Sequence, residues 1–165
     1  MKISIQNLQA DDFPAVARIY AEGIETGNAT FSKDIPTWAN WDKDHLPNCR
    51  FVALNTEGSV VGWAALTPVS ERCVYAGVAE LSVYVAASAR GFGVGRQLLA
   101  RLVEASEAAG FWTLQAGIFP ENIGSVRLHE AAGFRLVGHR ERVGQMDGRW
   151  RDTLLYERRS AAIGI

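Results

Sequence analysis

Apolar residues recur along the chain with two different periods, and each change of period marks a predicted element. Alternation or a short apolar run predicts seven strands, at residues 3–5, 50–55, 60–66, 80–85, 113–119, 135–143 and 150–157. Helical spacing predicts four helices, at residues 12–27, 36–46, 94–110 and 122–132. The resulting order, β-α-α-β-β-β-α-β-α-β-β, is typical of a mixed α/β (α+β) domain with a central sheet flanked by helices.

Turn and cap residues fall between these segments. Pro14 suits the first turn of the first helix, while Gly110 and Gly133 end the third and fourth helices. Asp147-Gly148 predicts a tight hairpin turn between the last two strands. Because no repeat, low-complexity tract or linker interrupts the pattern, residues 1–165 are predicted to form a single domain.

Composition narrows the functional classes. Hydrophobic residues make up 48% of the chain and charged residues 21%, which is typical of a globular protein. The net charge of −1 provides no basic surface for nucleic acid. The first six residues turn polar at once, and no apolar run approaches the roughly 20 residues that span a bilayer. We therefore expect a cytoplasmic protein that binds neither nucleic acid nor membrane.

The cysteines and histidines do not predict a metal site. Cys49 and Cys73 could form at most one disulfide, and their spacing is not that of metal ligands. We expect both to be buried thiols in a reducing compartment. Aromatic side chains at Trp112, Phe134 and Trp150 are predicted to lie in the core.

A glycine-rich loop carries the strongest chemical signal. Arg90-Gly91-Phe92-Gly93-Val94-Gly95-Arg96 lies between a predicted strand and a predicted helix. Glycines allow close approach of the backbone, and free N–H groups at a helix start bind phosphate oxygens. The arginines add positive charge. The position does not fit a dinucleotide fingerprint, and no Gly-Lys-Ser/Thr follows for a Walker loop. A glycine turn that only packs helix against strand is the alternative.

Arg90-x-x-Gly93-x-Gly95 resembles the acetyl-CoA pyrophosphate loop of the GCN5-related N-acetyltransferases (GNAT). The preceding strand Leu81-Ser82-Val83-Tyr84-Val85 and the following Asn122-x-x-Ser125-x-x-Leu128-His129-x-x-x-Gly133-Phe134 also resemble that superfamily. Further stretches, including Gly148-Arg149-Trp150-Arg151-Asp152, are similar to its phosphinothricin and methionine sulfoximine acetyltransferase group. The resemblance implies one GNAT-type domain with a mostly antiparallel sheet, acetyl-CoA as co-substrate, no metal, and a homodimer.

The resemblance also assigns residues to the cofactor. The strand before the loop would pair its backbone with the pantetheine arm, most directly at Val83 and Val85, and the Val83 N–H would polarise the thioester carbonyl. Asn122 and Ser125 would contact the pantetheine or act as an ordinary helix cap, and the two roles are compatible. The implied cofactor-binding residues are Leu81, Val83, Val85, Arg90, Gly91, Phe92, Gly93, Val94, Gly95, Arg96, Asn122 and Ser125.

Three side chains are candidates for the proton transfers. Glu80 corresponds to the group's strand glutamate and is the candidate base, directly or through water, with apolar neighbours that predict its desolvation. His129 stands where many superfamily members have tyrosine and the phosphinothricin-type group has histidine, and it is the candidate acid. It could also bind the substrate or assist as the base. Tyr84 shares a strand face with Glu80 and is the fallback acid.

The group's acceptors are small amino acids or analogues, whose carboxylate requires a cation. Arg72 is the candidate for a bidentate clamp, with Tyr75 as a further hydrogen-bond donor. Thr30 and Phe31 are expected to form one wall of the acceptor pocket. The leading hypothesis is direct transfer of acetyl to an α-amine of such an acceptor. The alternatives are another amine acceptor (a polyamine, an aminoglycoside or a protein N-terminus) and a non-catalytic acetyl-CoA sensor.

Overall fold

The computed structural model describes residues 1–165 and contains seven strands and four helices. The strands are β1 (Ser4–Asn7), β2 (Phe51–Leu54), β3 (Val60–Pro68), β4 (Val78–Val85), β5 (Thr113–Ile118), β6 (Arg135–Met146) and β7 (Arg149–Arg159). The helices are α1 (Phe13–Glu25), α2 (Trp38–Asp44), α3 (Val94–Ala108) and α4 (Ile123–Ala131). The predicted order of eleven elements is confirmed, and short 3₁₀ turns occur only between them.

All seven strands form one sheet, in the order β1-β2-β3-β4-β5-β7-β6. Every neighbouring pair is antiparallel except β4 and β5, which are parallel. A parallel pair needs a crossover, and α3 provides it between these two strands. The prediction of a mixed, mostly antiparallel sheet is therefore confirmed.

The parallel pair is short, and this opens the sheet. β4 and β5 are paired only from Val78 to Glu80 and from Thr113 to Gln115. Beyond that point β4 stays paired with β3 as far as Val85, whereas β5 stays paired with β7 as far as Ile118. The two strands thus separate, and a wedge-shaped gap opens in the middle of the sheet.

Helices α1 and α3 cover opposite faces of the sheet. The Tyr20 ring of α1 packs edge-on against Trp63 and Tyr84 of the central strands. The neighbouring strand residue, Gly62, instead lies close to Leu98 of α3. Since successive side chains of a strand point to opposite faces, the two helices enclose the sheet between them. Leu98 is fully buried, as the apolar stripe of α3 predicts.

Some local predictions need correction. Helix α2 begins at Trp38 rather than at residue 36, because Thr37 caps it by accepting a hydrogen bond from the Asn40 backbone N–H (3.3 Å). Trp150 is 60% exposed, so its placement in the core is wrong: it is paired with Gln145 of β6, the edge strand of the sheet. Cys49 is buried, but Cys73 is exposed, and the two form no disulfide.

None of the four helices is both long enough and apolar enough to cross a bilayer.

Candidate active site

A cleft with a volume of about 1100 Å³ occupies the gap between β4 and β5. Its walls come from β4, the glycine-rich loop, the start of α4, the segment after α1, and the bulged part of β6. Most of the sequence-predicted residues line this cleft. They are Thr30, Phe31, Glu80, Leu81, Val83, Tyr84, Val85, Arg90, Gly91, Gly93, Val94, Gly95, Arg96, Asn122, Ser125 and His129.

The direction of the β4 backbone decides which of its groups face the gap. The Ala86 N–H donates to the Val61 carbonyl (2.8 Å) on the β3 side, and the Gly77 carbonyl accepts from the Trp112 N–H (2.8 Å) on the β5 side. In an antiparallel ladder the backbone polar groups of successive residues alternate between the two edges. The residues whose backbone groups face the separated β5 are therefore Leu81, Val83 and Val85. Their N–H and C=O groups are available to pair with an extended ligand.

The glycine-rich loop leaves its own donors free. Gly91 and Gly93 adopt positive φ angles of 83° and 80°, which are favourable only for glycine. Gly93 is also the residue before α3, and no side chain caps that helix. The first N–H groups of α3 therefore lack protein partners and carry the positive end of the helix dipole. Gly95 is tightly packed, because a Cβ there would lie 3.3 Å from the Leu128 side chain.

These features fit the pyrophosphate and pantetheine arm of acetyl-CoA. The uncapped helix start would hold the phosphates, with Arg90 and Arg96 at the same end of the cleft, and the free edge of β4 would pair with the amides of the arm. Phe92 is 54% exposed and does not line the cleft. Its place in the predicted cofactor set therefore depends only on its backbone amide.

Asn122 performs the cap role and also joins two walls of the cleft. Its Oδ1 accepts a hydrogen bond from the Ser125 N–H (3.2 Å), which caps α4. Its Nδ2 donates to the carbonyl of Asn28 (3.1 Å), in the segment that follows α1. The start of α4 is thus fixed to the loop that carries Thr30 and Phe31.

His129 is buried and has one ring nitrogen without a partner. Its Nδ1 lies 2.7 Å from the carbonyl oxygen of Ser125. Because a carbonyl only accepts, Nδ1 carries the proton and the buried Nε2 presents a bare lone pair. Burial lowers the pKa of His129, and the bond to Ser125 opposes this shift. The imidazole is therefore kept neutral, its only free position for a proton is Nε2, and it can act as an acid only after Nε2 has been protonated.

Glu80 and Tyr84 differ sharply in environment. Glu80 is exposed within the cleft. Its Oε1 lies near Gly117 of β5, 3.9 Å from the position that a Cβ on this glycine would take. The desolvation expected from its apolar neighbours in sequence is therefore absent. Tyr84 stacks on Trp63 with ring centroids 5.0 Å apart. Burial, together with the neighbouring Tyr20, raises the pKa of Tyr84 far above that of a free tyrosine. A hydroxyl with so high a pKa is a weak proton donor, which disfavours the fallback role.

The acceptor side of the cleft differs from the predicted arrangement. Phe31 packs edge-on against Phe119 with centroids 4.8 Å apart, and its ring lines the cleft as expected. Arg72 and Tyr75 contact each other, with the guanidinium carbon 5.6 Å from the ring centroid, but both are exposed and neither lines the cleft of this chain. The only arginine that lines the acceptor side is Arg140, in β6.

Arg151 is a further functional candidate, for which the sequence pattern predicts no role. Its side chain is only 9% exposed and donates to the Gly27 carbonyl (2.9 Å) and to Asn28 Oδ1 (2.7 Å). Its guanidinium carbon also lies 4.2 Å from the centroid of Phe119. These contacts join positions more than 120 residues apart in sequence, so no local pattern could have revealed them.

The comparisons with known proteins agree with this arrangement. A phosphinothricin N-acetyltransferase of Alcaligenes faecalis is 33% identical to the chain, over 94% of the chain and 81% of the relative. An L-methionine sulfoximine/L-methionine sulfone acetyltransferase of Pseudomonas aeruginosa is 32% identical, over 92% of the chain and 91% of the relative.

A solved acetyltransferase structure has the same fold as this chain. The crystal structure of a GNAT superfamily phosphinothricin acetyltransferase from Sinorhizobium meliloti, in complex with acetyl-CoA, superposes with a TM-score of 0.89. It is 30% identical to the chain, and the match covers 99% of the chain and 91% of that structure. The model of the acetyltransferase (GNAT) family matches residues 4–134, which include the strand gap, the glycine-rich loop and α4. The chain therefore belongs to the GNAT acetyltransferase family.

Proposed function

We propose that this acetyl-CoA-dependent N-acetyltransferase acetylates the α-amino group of a small amino acid or analogue, of the phosphinothricin, methionine sulfoximine or methionine sulfone type. Transfer is direct, with both substrates bound together. The acceptor class is supported by the names of the two relatives, each about one third identical over nearly the full chain. Homodimer formation and a cytoplasmic location are part of the same proposal.

The observation that carries the proposal is that one cleft contains all the required groups. The free edge of β4 and the uncapped start of α3 lie at one side. Glu80 and His129, whose buried Nε2 has no hydrogen-bond partner, line the same cavity as Phe31 and Arg140. Neither cysteine lines it, so no thiol is positioned to carry an acetyl group as an enzyme-bound intermediate.

The chemistry follows from the state of each group. Acetyl-CoA supplies the acetyl group as a thioester. The acceptor ammonium must lose a proton before its nitrogen can attack, and the Glu80 carboxylate takes that proton directly or through water. The Val83 N–H donates to the carbonyl oxygen, which gains negative charge as the nitrogen adds. The His129 Nε2 accepts the second nitrogen proton and passes it to the departing sulfur, so that N-acetyl product and CoA thiol are formed.

The test is release of CoA thiol from acetyl-CoA in the presence of a panel of acceptors. The panel contains methionine sulfone, methionine sulfoximine, phosphinothricin, ordinary amino acids, spermidine, an aminoglycoside and a peptide with a free N-terminus. We expect selective turnover of the first three. Turnover of only the polyamine, aminoglycoside or peptide would contradict the acceptor class and keep the family. Binding of acetyl-CoA with no turnover of any acceptor would instead favour the sensor.

A further inference from the structure

Strand β6 is irregular where it forms part of the cleft wall. Arg140 pairs with Thr153 of β7, and the next pair is Gly144 with Arg151. Residues 141–143 of β6 therefore oppose a single residue of β7. Such a bulge bends the strand and changes the direction of the side chains around it, and bulges are frequent beside active sites.

Asp152, the single opposing residue, stabilises the bulge. One of its carboxylate oxygens accepts the Arg142 backbone N–H (2.7 Å), and the other contacts His139 Nε2 (2.7 Å). The Arg142 bond, followed by the His139 bond, lowers the pKa of Asp152, which keeps it ionised. Arg142 itself has a positive φ of 45°, which only a well-supported turn tolerates in a residue with a side chain. The bulge is thus a specified feature of the strand.

The bulge brings β6 into contact with the acceptor wall. Arg140, Val143 and Gly144 all line the cleft. The Phe31 ring lies directly on the Gly144 backbone, where a Cβ would be 2.7 Å from the ring. Arg140 and Phe31 therefore belong to the same side of the cavity.

Arg140 is the one cleft arginine at this side, and its charge is not neutralised. Arg90 and Arg96 line the opposite end, at the phosphate-binding loop. Glu121, an acidic residue of the same wall, is paired with Arg151 (3.3 Å). Arg140 is exposed, forms no salt bridge and no side-chain hydrogen bond, and is the only lysine or arginine that lines this side of the cleft. A guanidinium in this position is suited to a planar anion, to which it can donate two parallel N–H bonds.

We propose that Arg140, presented by the β6 bulge, binds the α-carboxylate of the acceptor amino acid. This inference rests on the proposed function, and it assigns the carboxylate to a residue other than Arg72, which lies outside the cleft of this chain. Arg140 acts on specificity and takes no part in proton transfer. It selects acceptors that carry a carboxylate beside the reacting amine and disfavours polycations such as spermidine.

The experiment compares two acceptors that differ only in this charge, L-methionine sulfone and its primary carboxamide, and includes phosphinothricin as a third acceptor with an anionic side-chain end. Initial rates are measured at saturating acetyl-CoA for wild type, Arg140→Gln and Arg140→Lys. Arg142→Gln is the matched control, because Arg142 lies in the same bulge but does not line the cleft. Arg72→Gln is included as the competing assignment.

We expect Arg140→Gln to raise the KM for methionine sulfone about tenfold to a hundredfold, as for loss of a charge-assisted hydrogen bond. It should change the KM for the carboxamide and the acetyl-CoA Kd less than threefold. Arg140→Lys should recover part of the loss, and Arg142→Gln should behave like wild type.

Three results would overturn the inference. An equal rise in KM for acid and carboxamide would indicate general damage to the pocket, and an acid-selective loss in Arg72→Gln alone would assign the carboxylate to Arg72. A loss confined to phosphinothricin would mean that Arg140 binds the anionic side-chain end rather than the α-carboxylate. Failure of the proposed function would be seen separately, as wild type that acetylates neither methionine sulfone nor its carboxamide but does acetylate another amine.

Discussion

Replacement of Arg151 by methionine should loosen the acceptor wall without touching the cofactor side. Methionine keeps much of the apolar length of arginine but removes both bonds to the segment after α1, to the Gly27 carbonyl and Asn28 Oδ1. It also removes the stacking over Phe119. The segment would then be held by the bond from Asn122 to the Asn28 carbonyl and by the packing of Phe31 on Phe119 and Gly144.

The expected loss of stability in Arg151→Met can be worked out from these contacts. A hydrogen bond to a charged group contributes about 1.5–3 kcal/mol, and two such bonds to the segment after α1 are lost, together with a weaker pair to the exposed Glu121 (3.3 Å). Removal of a buried charge returns part of that free energy, because desolvation of the guanidinium is no longer required. We therefore expect the free energy of unfolding to fall by about 3 kcal/mol. For a chain of this size each kcal/mol lowers Tm by about 2–4 °C, so Tm should fall by about 6–12 °C.

The assay combines thermal unfolding with steady-state kinetics. Arg149→Met is the matched control, because Arg149 is exposed on the same strand and forms no side-chain hydrogen bond or salt bridge. At a temperature where both variants stay folded, Arg151→Met should raise the KM for the acceptor at least fivefold and leave the acetyl-CoA Kd unchanged. A Tm within 1 °C of the Arg149→Met control, or a larger effect on acetyl-CoA than on the acceptor, would refute the reasoning.

Three further predictions concern the cofactor loop and the proton transfers. Gly93→Val and Gly95→Val should weaken acetyl-CoA binding at least tenfold by calorimetry, through a strained φ of 80° and a contact with the α4 side, whereas Gly138→Ala has open space and should bind like wild type. Glu80→Gln should lower kcat about 10²- to 10⁴-fold with an unchanged acetyl-CoA Kd, and an unchanged kcat would remove it as the base. His129 has a folded-state pKa below its unfolded value, so its stabilising contribution is present above about pH 6.5 and is lost as the pH falls through the lower folded pKa. The Tm difference between wild type and His129→Gln should therefore shrink between pH 8 and pH 5, and a constant difference would contradict the buried neutral imidazole.

The sequence predicts the fold well because its signals are local. The stripe of α3 and the alternation of β4 each lie within about fifteen residues, and the order of all eleven elements follows from such patterns. The cofactor side is predictable for the same reason. Gly91 and Gly93 need their positive φ angles whatever surrounds them. The misplacement of Trp150 shows the limit, since alternation on an edge hairpin does not reveal which face is covered.

The acceptor side could not be predicted in the same way, because long-range contacts assemble it. Arg140 lines the cleft only because the bulge redirects β6, and the bulge depends on an aspartate ten residues beyond Arg142. Arg72 has the right charge and a plausible place in sequence, yet the turn after β3 leaves it on the surface. Residue type and order alone do not distinguish these two arginines.

We expect relatives to share the cofactor site more widely than the acceptor site. A phosphate-binding loop made of backbone amides tolerates any side chains that leave the glycines in place, so relatives at about 33% identity can share the cofactor site. The acceptor wall depends on Asn28, which receives Asn122 at its carbonyl and Arg151 at its side chain. A change at any one of these three positions would shift Thr30 and Phe31 relative to Arg140. Acceptor preference in such a cleft is therefore set by a few buried contacts behind the wall as much as by the side chains that touch the substrate.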